Sequence, residues 1–117
     1  QTIICTFAGL GIEATISGLE TLVIKETNRL EALKSELQKF SIKLEIIENH
    51  TLYLKGGQAI TNPTSTVETY NDHRMAMAFA PLVAVVGSFK INNPEVVSKS
   101  YPNYWEDLRS VGFITED

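Results

Sequence analysis

Tyr70-Asn71-Asp72-His73-Arg74-Met75-Ala76-Met77, written YNDHRMAM, joins a polar turn to an apolar run that ends near Gly87. Asn71 or Asp72 can cap a helix by accepting hydrogen bonds from its free backbone N–H groups, which places His73 and Arg74 in the first turn. The start of a helix carries unpaired donors and partial positive charge, and the arginine adds a planar fork suited to carboxylate or phosphate. From physics alone the stretch is a candidate anion site. Taken without context, an Asp-His-Arg triplet is more often a plain cap followed by a solvated residue, so the neighbouring sequence has to decide.

Downstream, Met75 to Val86 is apolar on every side, as expected of a helix sandwiched between layers. Pro81 lies inside it and predicts a kink or break near Ala78 to Pro81, because proline removes a hydrogen bond and clashes with the preceding turn. Ser88 to Ile91 reads as a short strand. Asn93 to Lys99 reads as a loop, and Ser100 as the cap of a last helix with Tyr101, Tyr104, Trp105, Leu108 and Val111 on one face.

Upstream, residues 58 to 69 form a polar connection with one short strand near Val67. Before it, Ile42, Leu44 and Ile46, then Leu52 and Leu54, with Glu48, Asn49 and His50 between them, predict a hairpin closed by Gly56 and Gly57. Leu30, Leu33, Leu37 and Phe40 recur at helical spacing, with two candidate caps, Thr27 and Asn28, the latter with Glu31 three residues on. Lys25, Glu26 and Arg29 therefore gather at a second helix mouth. Ile12, Ala14 and Ile16, then Leu19, Leu22 and Ile24, suggest two extended pieces separated by Gly18, and Gln1 to Leu10 the tail of a helix stopped by Gly9 and Gly11. The alternation of helices and strands gives an α/β or α+β class with helices packed on a sheet.

With 117 residues, 44% hydrophobic and 21% charged, the chain has the profile of one globular domain. A net charge of -4 gives no general attraction to nucleic acid or acidic membranes, so anion binding must come from local basic clusters. The lone Cys5 can form no internal disulfide and favours a reducing compartment, the cytoplasm by default. The longest apolar run is too short to span a bilayer. Gln1 opens directly into a helix-like run with no capping residue before it, so the sequence reads as part of a longer protein.

Lys99, just before Ser100, makes a third basic cluster beside a predicted helix start. Together, Lys25-Glu26-Thr27-Asn28-Arg29-Leu30, Tyr70 to Met77 and Lys99-Ser100-Tyr101-Pro102-Asn103-Tyr104 resemble the last third of the EPSP synthase (3-phosphoshikimate 1-carboxyvinyltransferase) family, in order and spacing. The resemblance implies a two-domain enzyme of repeated βαβαββ units, with the site in the cleft between domains. Residues 1 to 117 would be a later part of the C-terminal domain, and the N-terminal domain of the same enzyme would be its partner. It further implies that Arg29, Arg74 and Lys99 bind phosphoenolpyruvate and that Lys25 and Thr21 contact shikimate 3-phosphate. Glu26 and Lys25 would move protons, with His73 grouped beside them as catalytic. No metal or organic cofactor is implied.

Two positions depart from the family pattern: Asn28 stands where aspartate is usual, and Thr21 where many members carry asparagine. The family's catalytic aspartate falls just upstream of Gln1. A related enolpyruvyl transferase acting on UDP-N-acetylglucosamine shares the fold, but its pattern lacks YNDHRMAM and KETNR. A noncatalytic α/β anion-binding module is the remaining alternative.

Overall fold

A computed structural model describes residues 1–25 and 28–116. Helix α1, Thr2–Leu10, ends where Gly11 takes a left-handed conformation (φ 70°) and its N–H caps the last carbonyls. Strand β1, Ala14–Ile16, follows. Helix α2, Arg29–Gln38, is capped as expected, the Asn28 side chain accepting from the Glu31 N–H. Strands β2, Leu44–Ile47, and β3, Thr51–Leu54, complete an antiparallel sheet of order β1-β3-β2, with Leu44 opposite Leu54 and Ala14 opposite the same residue on the other side. The class is α+β.

One sheet face carries Leu44, Leu52 and Leu54 into the core, while Thr15, Tyr53 and Glu45 share the opposite, wetter face. α2 lies against β2 and supplies Leu30, Leu33 and Leu37, all buried. Phe40 lies between Phe79 and Phe89, with ring centroids 5.8 and 5.1 Å away.

The YNDHRMAM run forms helix α3, His73–Phe79, which tightens into a 3-10 turn at Ala80–Leu82 and resumes as α4, Val83–Val86. This is the interruption expected from Pro81. α3 packs on α1 and on a 3-10 helix at Pro94–Lys99. The final helix α5, Tyr104–Ser110, is tied to this unit by Tyr104, whose hydroxyl donates to the Met77 carbonyl, and by Trp105, whose Nε1 donates to the Pro94 carbonyl.

Several local expectations are corrected. Glu20–Ile24 is a 3-10 helix instead of a strand, since Leu19 and Leu22, three apart, both turn toward the core. The hairpin reverses at Glu48 and Asn49, both at positive φ. Gly56 and Gly57 lie beyond it, the Gly57 N–H donating to the Gly11 carbonyl, and a Cβ on Gly56 would come within 3.0 Å of the Glu13 side chain. Of Ser88 to Ile91 only Ile91 pairs, in an isolated parallel bridge to Val67. Asn93 to Lys99 is helical, Ser100 ends that turn instead of capping α5, and Val111 lies past α5, 71% exposed. Among the described residues no helix is long and apolar enough to cross a membrane.

Candidate functional site

Asp72 is the N-cap of α3 and is fully buried. Its Oδ1 accepts from the Arg74 N–H at 2.9 Å and its Oδ2 from Arg29 Nε at 2.6 Å, with Arg29 Nη2 reaching Oδ1 at 3.2 Å. A carboxylate held by an arginine fork and a backbone amide is satisfied on both oxygens, which is what burial of a charge requires. Arg29, the first residue of α2, is itself only 4% exposed. The starts of α2 and α3 are therefore locked together by one ion pair.

The turn entering α3 has Tyr70 and Asn71 both left-handed, at φ 54° and 55°. Asparagine tolerates that region and tyrosine seldom occupies it. Lys99 completes the turn from the other side, its Nζ donating to the Asn71 carbonyl at 2.9 Å.

An open cleft of about 330 Å³ lies at the α3 start, lined by Gln1, Thr2, His73, Arg74, Met77 and Ser100. Arg74 is exposed, while His73 has its Nδ1 buried with no hydrogen-bond partner. Arg74 places its guanidinium on the cleft, while Arg29 lies buried in its pair with Asp72.

His73, Arg74, Arg29 and Lys99 are brought around one turn; of these four, His73 and Arg74 line the cleft, while Arg29 is buried behind Asp72 and Lys99 donates to the Asn71 carbonyl. Lys99 differs from expectation in ending a 3-10 helix instead of preceding a long one. Thr21, on the 3-10 helix Glu20–Ile24, and Lys25, just after it, are exposed and do not line the cleft. Glu26 lies outside the described residues. Met75 is core, and Met77 packs against the buried Ala76, Val96 and Val97 while also lining the cleft. Sequence reasoning missed Thr2 and Ser100, which carry no signal beyond their place beside helix ends. It read Asp72 as a cap without its arginine. Among the described residues no group of three or more His, Cys, Asp or Glu is placed to hold a metal ion.

Residues 2–108 match the family model of EPSP synthase (3-phosphoshikimate 1-carboxyvinyltransferase). The chain belongs to the EPSP synthase family. Among its relatives, the 3-phosphoshikimate 1-carboxyvinyltransferase of Bacteroides fragilis is 44% identical over 113 residues, covering 97% of this chain and 28% of that protein. The enzyme of the same name from Dehalococcoides mccartyi is 37% identical over 106 residues, covering 90% of this chain and 24% of its own length. The fold also matches a solved EPSP synthase structure from Acinetobacter baumannii, with a TM-score of 0.76 at 21% identity over 94% of this chain and 26% of that one. The chain thus spans about a quarter of the length of the EPSP synthases it matches.

Proposed function

We propose that this chain is the later part of the C-terminal domain of a two-domain 3-phosphoshikimate 1-carboxyvinyltransferase, acting in the shikimate pathway of aromatic amino acid biosynthesis. In the reaction, the 5-hydroxyl of shikimate 3-phosphate adds to the central carbon of phosphoenolpyruvate as its methylene takes a proton. Loss of that proton and of phosphate then gives the enol ether. The observation that carries the reading is the convergence of Arg74, Lys99 and Arg29 on the YNDHR turn, in a chain of this family.

Phosphoenolpyruvate presents a carboxylate and a phosphate close together. Arg74, exposed on the cleft, supplies a fork for one of them, Lys99 a compact cation beside it, and Arg29 positive charge from behind Asp72. A site of fixed cations orients the reacting carbon and stabilises the charge developing on the departing phosphate. His73 lines the same mouth and is grouped with the catalytic residues by family resemblance. Glu26 and Lys25 are assigned the remaining proton transfers, and Lys25 with Thr21 the contact to shikimate 3-phosphate, by family resemblance. The N-terminal domain supplies the opposite wall.

The test is to assay the full-length enzyme that carries this sequence with phosphoenolpyruvate and either shikimate 3-phosphate or UDP-N-acetylglucosamine. Release of phosphate with the first acceptor alone is expected. Release with the second alone would replace this reading with the related transferase, and release with neither would leave an anion-binding module.

A further inference from the structure

We infer that Glu36 and Tyr70 form a positioning pair that holds the Arg74 turn in its anion-binding geometry, although neither lines the cleft. The inference rests on the reading of that cleft as the phosphoenolpyruvate site.

Glu36 lies on α2 and is 1% exposed. A buried carboxylate is costly unless its oxygens are filled, and an apolar residue of similar size would often serve a core as well. Here the filling is complete and directional. Oε1 accepts from Lys39 Nζ at 2.7 Å and from the Glu68 N–H at 2.8 Å, and Oε2 accepts from the Tyr70 hydroxyl at 2.6 Å. Lys39 Nζ in turn donates to the Thr66 carbonyl at 2.8 Å. Apart from Lys39, the groups that donate to Glu36 sit on residues 68–70, in the segment that leads into the cleft.

What the network holds is a conformation the chain would not keep by itself. Two successive non-glycine residues in the left-handed region are costly outside a hairpin turn, and a tyrosine there more so than an asparagine. Three site cations take their places from this reversal: Arg29 and Arg74 through Asp72, and Lys99 through the Asn71 carbonyl. The Tyr70–Glu36 bond anchors its upstream end to α2, the helix that also carries Arg29. One rigid helix thereby fixes both ends of the turn.

The experiment uses Tyr70→Phe, which removes only the hydroxyl, together with Glu36→Gln and the double variant, in the full-length enzyme. Two readouts are needed. In the substrate-free enzyme, the amides of Arg74 and Met75, both hydrogen-bonded to Asp72, are expected to exchange with deuterium about tenfold faster in Tyr70→Phe. In steady-state kinetics, KM for phosphoenolpyruvate is expected to rise about tenfold while KM for shikimate 3-phosphate stays within about twofold, the scale of one hydrogen bond to a charged group. The double variant should add little to Glu36→Gln, which already disturbs the Tyr70 bond together with the contacts to Lys39 and the Glu68 N–H, and should exceed Tyr70→Phe. Unchanged amide exchange, or equal rises in both KM values, would overturn the inference. A wild-type enzyme inactive with both substrates would overturn the reading of the cleft, and the exchange measurement would then judge the tether alone.

Discussion

Arg29 and Asp72 lie 43 residues apart in the chain and meet at 2.6 Å in the interior, so the helix that starts at one is fixed to the helix capped by the other. The pair is a constraint on geometry more than a source of stability. Bringing both ions out of water costs several kcal/mol each, and the pairing does little more than offset that. Its value lies in what happens when one partner is lost. Asp72→Ala leaves a buried guanidinium short of its carboxylate and removes the α3 cap, so an unfolding free energy lower by about 3 to 5 kcal/mol is expected in urea titrations. Asp72→Asn, which retains the cap, should lose less. Equal losses would mean that the ion pair, and not the cap, dominates.

Arg74 makes its backbone contact to Asp72 but keeps its side chain on the open cleft. In the full-length enzyme, Arg74→Ala is expected to weaken phosphoenolpyruvate by about 1.5 to 3 kcal/mol, as for a lost hydrogen bond between charged groups, and to leave shikimate 3-phosphate nearly unaffected. Separate KM values, or direct binding of each substrate, decide it. Equal weakening of both would move Arg74 out of the phosphoenolpyruvate subsite.

Local signals account for most of what could be read before the fold was known. The spacing of Leu30, Leu33 and Leu37 located α2, the Asn28 and Asp72 caps located two helix starts, and Pro81 located the break between α3 and α4. Errors arose where two local structures share a pattern. Leu19 and Leu22 fit a strand or a 3-10 turn, and only packing against the core chooses. Gly56-Gly57 is a good turn signal, yet Glu48 and Asn49 make the turn and the glycines serve a close approach to Glu13. The Arg29–Asp72 and Glu36–Tyr70 bonds join residues more than 30 positions apart, and no periodicity reports such contacts. The chemistry of the site was legible as residue types; its wiring was not.

Tyr70 gives a pH signature. Burial, then its hydrogen bond to Glu36 and the charge of that carboxylate, push its hydroxyl pKa up to about 12 from 10.0. A raised pKa means that the folded state holds the proton more tightly. The contribution is fully present below about pH 10 and is lost as pH rises toward about 12. Tyr70 is 38% exposed, so solvent screening keeps the effect small. Wild-type protein should lose stability more steeply than Tyr70→Phe across that window in urea titrations. Parallel curves would show that the hydroxyl does not sense Glu36.

Cys5 offers a second handle, on α1. It is 1% exposed, and burial raises its thiol to about 12. Only the thiolate reacts with disulfide reagents. Native protein is therefore expected to resist an aromatic disulfide at neutral pH and to react fully in denaturant, with the native rate following the opening of α1 from α3. Rapid reaction without denaturant would show that the α1–α3 contact opens freely.

The 117-residue chain alone should be unable to turn over. Its cleft is open on one side, and the chain spans about a quarter of the length of its relatives. Holding two reactants in attack geometry can supply roughly 7 to 11 kcal/mol of barrier reduction, and one wall cannot hold two substrates against each other. Water entering the mouth also weakens each remaining charge interaction by raising the effective dielectric constant. Weak, salt-sensitive binding is what Arg74 and Lys99 can still provide. Titration with phosphoenolpyruvate should shift the amides of Asp72 to Met75 in NMR spectra, and about 1 M salt, with a Debye length near 3 Å, should abolish the shifts. Phosphate release by the purified chain supplied with shikimate 3-phosphate and phosphoenolpyruvate, with full-length enzyme excluded, would show that the second wall is not needed for positioning.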